Sequence, residues 1–227
     1  MAFSHPPFLT YKQKSMESEQ SNIENQLDIT IKNLKKNRIE SIVMQSSKEL
    51  IKFMDSQIAD SSVVGVGDSM TLETTGIYDY LRSRKLLFLD KYNKTFSRED
   101  KRALYLKNFD ADYFLCSANA ISCEGKIYNM DGNGSRVAPV IYGPKKVFIV
   151  CGINKIVVDE PGAIERIKKI AAPIDAKRLG KKTPCAITVQ CEDCKSPDKI
   201  CNYLTVIQGQ FDKNRIKVIF INENLGF

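Results

Sequence analysis

Apolar residues recur along the chain in two alternating rhythms. Ile23, Leu27, Ile31 and Leu34 fall at helical spacing and predict an amphipathic helix. Ile39 to Met44 reads as a short strand, and Leu50, Ile51, Met54 and Ile58 mark a second helix capped near Ser46 or Ser47. Ser62 to Val66 is an apolar, β-branched run closed by a glycine, suited to a buried strand. A helix is expected over Thr71 to Arg84, a strand over Leu86 to Leu89, a helix over Arg98 to Lys107 begun by Ser97, and a buried strand over Tyr113 to Cys116. This alternation predicts an α/β fold with a mostly parallel sheet flanked by helices.

From Ser117 the pattern changes. Ala118 to Cys123 and Lys126 to Met130 flank Glu124-Gly125, a hairpin turn, and Asp131-Gly-Asn-Gly134 forms a second turn. Val147 to Val150 resumes a central strand. Asp159 caps a helix with Pro161 in its first turn and Ile164, Ile167 and Ile170 on its buried stripe; Pro173 is expected to stop it. Leu204 to Ile207 and Ile216 to Ile221 are two strands whose short link excludes a crossover, so they pair antiparallel or lie apart. Residues 1–19 read as a mobile arm and 20–227 as one continuous α/β domain with a cysteine-containing segment over 183–203.

Composition removes several function classes. The chain has 227 residues, 43% hydrophobic and 27% charged, near globular averages. No apolar run approaches the roughly 18 residues of a membrane span. The start lacks the basic and apolar regions of a secretory signal, so a cytoplasmic protein is expected. Lys plus Arg is 34 against 27 for Asp plus Glu, a net charge of +7. That excess is modest, and nucleic-acid binding ranks last among the readings. Lys168, Lys169, Lys177, Arg178, Lys181 and Lys182 form the densest basic stretch and read as a solvated face. The single histidine is His5, beside Pro6 and Pro7 in the arm. Histidine-based triads, Cys-His pairs and histidine zinc sites would all need that residue and are set aside.

Two polar loops follow buried strands. In the first, Gly65 and Gly67 allow close backbone approach, and Asp68, Ser69 and Thr71 stand at the start of a helix, where N–H groups favour an anion. The stretch is no dinucleotide fingerprint, because Met70 replaces the third glycine, and a structural cap by Ser69 or Thr71 explains the same residues. The second loop is Ser117-Ala-Asn119-Ala-Ile-Ser122-Cys-Glu124-Gly125. Glu124 is a weak catalytic candidate as nucleophile or base, against the plainer reading of a solvated turn residue. Lys155 follows the Val147 strand and adds a point charge to the same expected crevice.

Seven cysteines fall into two sets. Cys116 and Cys151 lie in apolar runs and read as inert core thiols; Cys123 stands alone. Cys185, Cys191, Cys194 and Cys201 crowd into 17 residues, with the Cys-x2-Cys spacing that grips a metal from a tight turn. Four thiolates suit zinc or an iron–sulfur cluster, and spacing does not separate them. Free thiols or an oxidisable pair are the alternative. A four-cysteine site leaves no open position for zinc catalysis.

Gly65-Val-Gly-Asp-Ser-Met-Thr-Leu72, Ala111-Asp-Tyr-Phe-Leu-Cys-Ser-Ala-Asn-Ala-Ile-Ser122, Asn129-Met-Asp-Gly-Asn-Gly-Ser-Arg-Val-Ala138 and Cys191-Glu-Asp-Cys-Lys-Ser-Pro197 together resemble the LUD (lactate utilisation, DUF162) domain family. Gly143-Pro-Lys-Lys-Val147, Gly152-Ile-Asn-Lys-Ile-Val157, Ala171-Ala-Pro173 and Thr183-Pro-Cys185 extend the likeness. The resemblance implies a Rossmann-like sheet similar to the sugar-phosphate isomerase and coenzyme A transferase group. It also implies a bacterial setting, a role in lactate or organic-acid metabolism beside iron–sulfur partner proteins and, by fold analogy, a homodimer. Any enzymatic activity would be part of L-lactate oxidation or of a transferase or isomerase type. Coenzyme A transferases use a glutamate before a glycine, which Glu124-Gly125 resembles locally.

The leading expectation is a small anionic metabolite bound where the loops converge. Its binding set is Gly67, Asp68, Ser69, Thr71, Glu73, Asn119, Asn154 and Lys155. The alternative is an electron-transfer or redox subunit working through an iron–sulfur cluster or zinc at Cys185, Cys191, Cys194 and Cys201.

Overall fold

The computed structural model describes residues 11–227, with side chains described from residue 21. In chain order the elements are α1 (Tyr11–Lys36), β1 (Glu40–Met44), α2 (Ser47–Gln57), β2 (Val63–Val66), α3 (Met70–Thr74), α4 (Ile77–Ser83) and β3 (Leu87–Leu89). There follow α5 (Arg98–Lys107), β4 (Tyr113–Cys116), β5 (Ala120–Ser122), β6 (Ile127–Asp131), α6 (Val137–Ile141), β7 (Lys146–Gly152) and β8 (Ile156–Val157). The chain continues through α7 (Glu160–Arg166), α8 (Ala172–Arg178), α9 (Pro184–Thr188), β9 (Tyr203–Ile207) and β10 (Ile216–Ile221). The first ten residues of the expected arm lie outside the described residues; from Tyr11 the chain is already helical.

Six strands form a parallel sheet in the order β1-β10-β7-β4-β2-β3. Side chains alternate across it. Val64, Val66, Leu115, Phe148, Val150, Ile219 and Ile221 pack on one face with Leu50 and Met54 of α2. Phe114, Cys116, Val147, Ile149, Val218 and Phe220 pack on the other with Leu34, Leu27 and Ile31 of α1. Burial on both faces is why these strands read as continuous apolar runs. A second, four-stranded sheet has the order β8-β5-β6-β9, with β5 and β6 forming the expected hairpin and Gly125 at φ 75 in its turn. β9 and β10 lie in different sheets, the second of the two arrangements the sequence allowed.

Two expected elements need correction, and Ile170, expected on the buried stripe of its helix, is exposed. The single helix over Thr71 to Arg84 is broken into α3 and α4 by Gly76, whose φ of 75 is left-handed. Pro173 does not stop its helix. A π-helical turn over Ile167–Ala171 carries α7 into α8, and Pro173 sits in the first turn of α8. Proline removes the donor an ordinary helix would need there, and a widened turn is a known way to absorb that loss.

The topology fixes where a ligand crevice belongs. The chain leaves β2 for β3 on one side, then returns to place β4 on the other side of β2. The strand order therefore reverses between β2 and β4. In open α/β sheets that switch point, at the carboxyl ends of the strands, is where ligands bind.

Candidate functional site

The loops after β2 and β4 meet at this switch point. Asp68, Ser69, Ser117, Asn119 and Lys155 line one recess of about 40 Å³, together with Arg136 and Arg178. It adjoins an open cleft of about 710 Å³ that shares Asp68, Asn119, Arg136 and Asp175 and extends to Lys91, Lys181 and Lys199. Over both cavities seven Lys and Arg side chains face four carboxylates. The lining thus carries an excess of positive charge.

Lys155 ends a 3-10 turn after β7 and is 3% exposed. Its Nζ donates to Thr71 Oγ1 at 2.9 Å and to Ser117 Oγ at 3.0 Å. These are hydroxyls rather than a carboxylate. An ammonium has three donors, so one remains for a ligand. Burial is the main reason its pKa falls to about 8; nearby Arg166 and Arg136 push the same way. Thr71, fully buried, lies behind the ammonium and donates to the Leu225 carbonyl at 3.4 Å.

A fixed polar frame surrounds the recess. Arg136 donates to Asn119 Oδ1 at 3.1 Å and to the Met130 carbonyl at 2.6 Å, and lies 3.6 Å from Asp131. Arg166 donates to the Asn119 carbonyl at 2.6 Å and the Asn154 carbonyl at 3.1 Å. Arg178 bridges Asp68 at 2.9 Å and Asp175 at 2.8 Å. Burial pushes the Asp68 carboxyl up, but Lys91 and Arg178, with hydrogen bonds from Tyr92 and Arg178, outweigh it and hold Asp68 below the usual carboxylate range. Tyr92 donates to Asp68 at 2.8 Å, and Tyr78 ties the loop by donating to the Gly67 and Ser69 carbonyls.

The expected binding residues divide accordingly. Asp68, Ser69, Asn119 and Lys155 line the recess. Ser69 also caps α3, accepting from the Leu72 N–H at 3.2 Å. Gly67 and Thr71 lie behind the lining: a Cβ on Gly67 would stand 2.8 Å from Arg136 Cγ. Asn154 instead anchors the C-terminal segment, accepting from the Leu225 N–H at 3.1 Å. Glu73 is exposed on α3 and lines neither cavity. Glu124 sits 49% exposed on the β5–β6 turn, paired with Lys126 at 2.9 Å, and also lies outside both cavities. Arg136, Arg166, Arg178 and Lys91 were not among the expected binding residues. Arg136, Arg178 and Lys91 line the crevice from other loops and helices, and Arg166 holds the Asn119 and Asn154 carbonyls behind it. Arg136 falls in a stretch that carries the family likeness and Arg178 in the basic stretch, but neither position signalled a place in the crevice.

The cysteine segment borders the same region. Cys185, Cys191, Cys194 and Cys201 all line a cavity of about 190 Å³, and all are free thiols. Among the described residues no group of three or more His, Cys, Asp or Glu side chains is placed to hold a metal ion. Cys116 and Cys151 are fully buried in the core, and burial pushes the Cys116 thiol up to about 12. The basic stretch is largely paired on the surface: Lys168 with Asp193, Lys169 with Glu165 and Lys181 with Asp198.

Fold and crevice together define an α/β protein with a cationic recess at the switch point of its parallel sheet. The chain belongs to the LUD domain family, whose family model matches residues 27–221. That membership relates it in general terms to lactate utilisation. A crystal structure of a DUF162 family protein from Deinococcus radiodurans is similar over 89% of this chain and 98% of its own, at 14% identity and a TM-score of 0.49. A crystal structure of eIF2B beta from Chaetomium thermophilum is similar over 52% of this chain and 44% of its own, at 15% identity and a TM-score of 0.36. No curated protein matches the chain. Among the described residues no helix is long and apolar enough to cross a membrane.

Proposed function

We propose that the recess binds the carboxylate of a small organic anion of the lactate class, a 2-hydroxy or 2-oxo acid. The observation that carries this reading is Lys155: a buried ammonium that faces two hydroxyls and keeps a donor free at the wall of a cavity. A buried charge without a carboxylate partner costs stability, and an anion would offset that cost. A volume of about 40 Å³ has room for a carboxylate head, since one water needs on the order of 10–15 Å³. The rest of the molecule would extend into the wider cleft, where Arg136 and Lys91 add positive charge. Ser69 and Asn119 have hydroxyl and amide groups at the same wall to orient a hydroxyl or keto oxygen.

Calorimetric titration with lactate, pyruvate and longer 2-hydroxy acids tests this reading. Lys155→Met is expected to weaken binding by about ten- to a hundredfold, the equivalent of about 1.5–3 kcal/mol for a charge-assisted hydrogen bond. Unchanged affinity in that variant, or no binding by any of these acids, would refute it.

A further inference from the structure

The four clustered cysteines carry an inference independent of the anion recess. Cys185 stands in the first turn of α9, Cys191 and Cys194 lie on the following loop, and Cys201 precedes β9. The chain brings them together by two left-handed bends at non-glycine residues, Val189 at φ 60 and Asp193 at φ 47. A β-branched residue in that region is costly, so surrounding structure must hold the bend in place. Thr183 Oγ1 stands 3.4 Å from Cys185 Sγ, and Cys191 Sγ donates to Asp193 at 3.8 Å. Ile167, Ala172 and Ala176 give the cavity an apolar part, and Lys168, Lys199, Glu192 and Asp193 also line it.

What four thiols on one wall can hold depends on how they converge. A single zinc ion at about 2.3 Å from each sulfur draws the four sulfurs onto one point. Here all four border a common space of about 190 Å³, wider than a single ion fills. In an iron–sulfur cluster the thiolates ligate separate irons and stand around a body rather than a point. We propose that Cys185, Cys191, Cys194 and Cys201 ligate an iron–sulfur cluster seated in this cavity. Lys199 would offset part of the negative charge of the thiolates, Lys168 being paired with Asp193, and the apolar part of the lining would shield the sulfide core. Met130, Ile167, Ala172, Lys199 and Ile200 line both this cavity and the anion cleft, so the cluster would share a wall with whatever the cleft binds.

The test uses the full chain, purified without oxygen and supplied with ferric iron, sulfide and an excess of a thiol that reduces part of the iron. The expected result is iron and acid-labile sulfide in equal amounts, on the order of two to four of each per chain, with a brown absorbance bleached by reduction. Cys191→Ser should lose most of the iron, whereas Cys123→Ser, outside the group, should keep it; circular dichroism checks that both variants fold. Zinc in place of iron, iron without sulfide, or a chain that takes up no metal would overturn the proposal whatever the variants do. Lys155→Met should load the cluster normally, which separates this result from the fate of the anion reading.

Discussion

At Gly67 a methyl group would meet Arg136 Cγ at 2.8 Å and Cys116 Cβ at 3.0 Å. Cys116 is fully buried and cannot move aside, so Arg136 would have to give way. Gly67→Ala is expected to cost about 1–3 kcal/mol in urea unfolding and to disturb the bond from Arg136 to Asn119. Lys155 predicts a pH signature. Its pKa in the folded chain, near 8, lies below the ordinary lysine value, so the folded state holds fewer protons than the unfolded one between those two points. Its contribution to stability therefore rises as pH climbs through that window. Anion binding runs the other way, because it needs the charged form. Affinity should be flat below about pH 8 and fall about tenfold per unit above it, and Lys155→Met should abolish that dependence. The positions of Ser69, Asn119 and Lys155 at the recess were legible because each closely follows a buried apolar run in a parallel sheet. Those of Arg136 and Arg178 were not. Arg178 meets Asp68 across 110 positions of sequence, and no local pattern encodes such a contact.

Among the elements, α5 shows how far local chemistry reaches. Ser97 Oγ accepts from the Asp100 N–H at 3.1 Å, while the Asp100 carboxylate accepts from the Ser97 N–H at 3.0 Å. The helix was expected to begin at Ser97, and this reciprocal cap is what starts it there. Ser97→Ala should lower stability by about 1 kcal/mol, measurable as a reduced thermal midpoint. Where the local rules failed, a competing local device was at work. Gly76 falls inside the helix expected over Thr71 to Arg84 but takes a left-handed φ that ends α3. Pro173 read as a terminator, but the preceding π-turn absorbs its missing donor and lets the basic end of α8 reach Asp68. Without that continuation Arg178 would not frame the recess.

For the whole molecule, the alternation of strands and helices announced a parallel sheet, but strand order is a long-range property and could not be read from periodicity. Nor could the division between sheets: β9 and β10 are similar apolar runs separated by a short link, yet β9 pairs antiparallel with β6 while β10 enters the larger sheet. β10 lies between β1 and β7, the last strand of the described chain flanked by one of the first. During synthesis, then, β1 emerges from the ribosome with its only neighbour still untranslated, and the inner rim of β7 stays bare as well. Chaperones that recognise naked strand rims have their longest opportunity on this chain in the interval before Ile216 to Ile221 appears, and a premature stop codon upstream of that segment leaves both rims open for good.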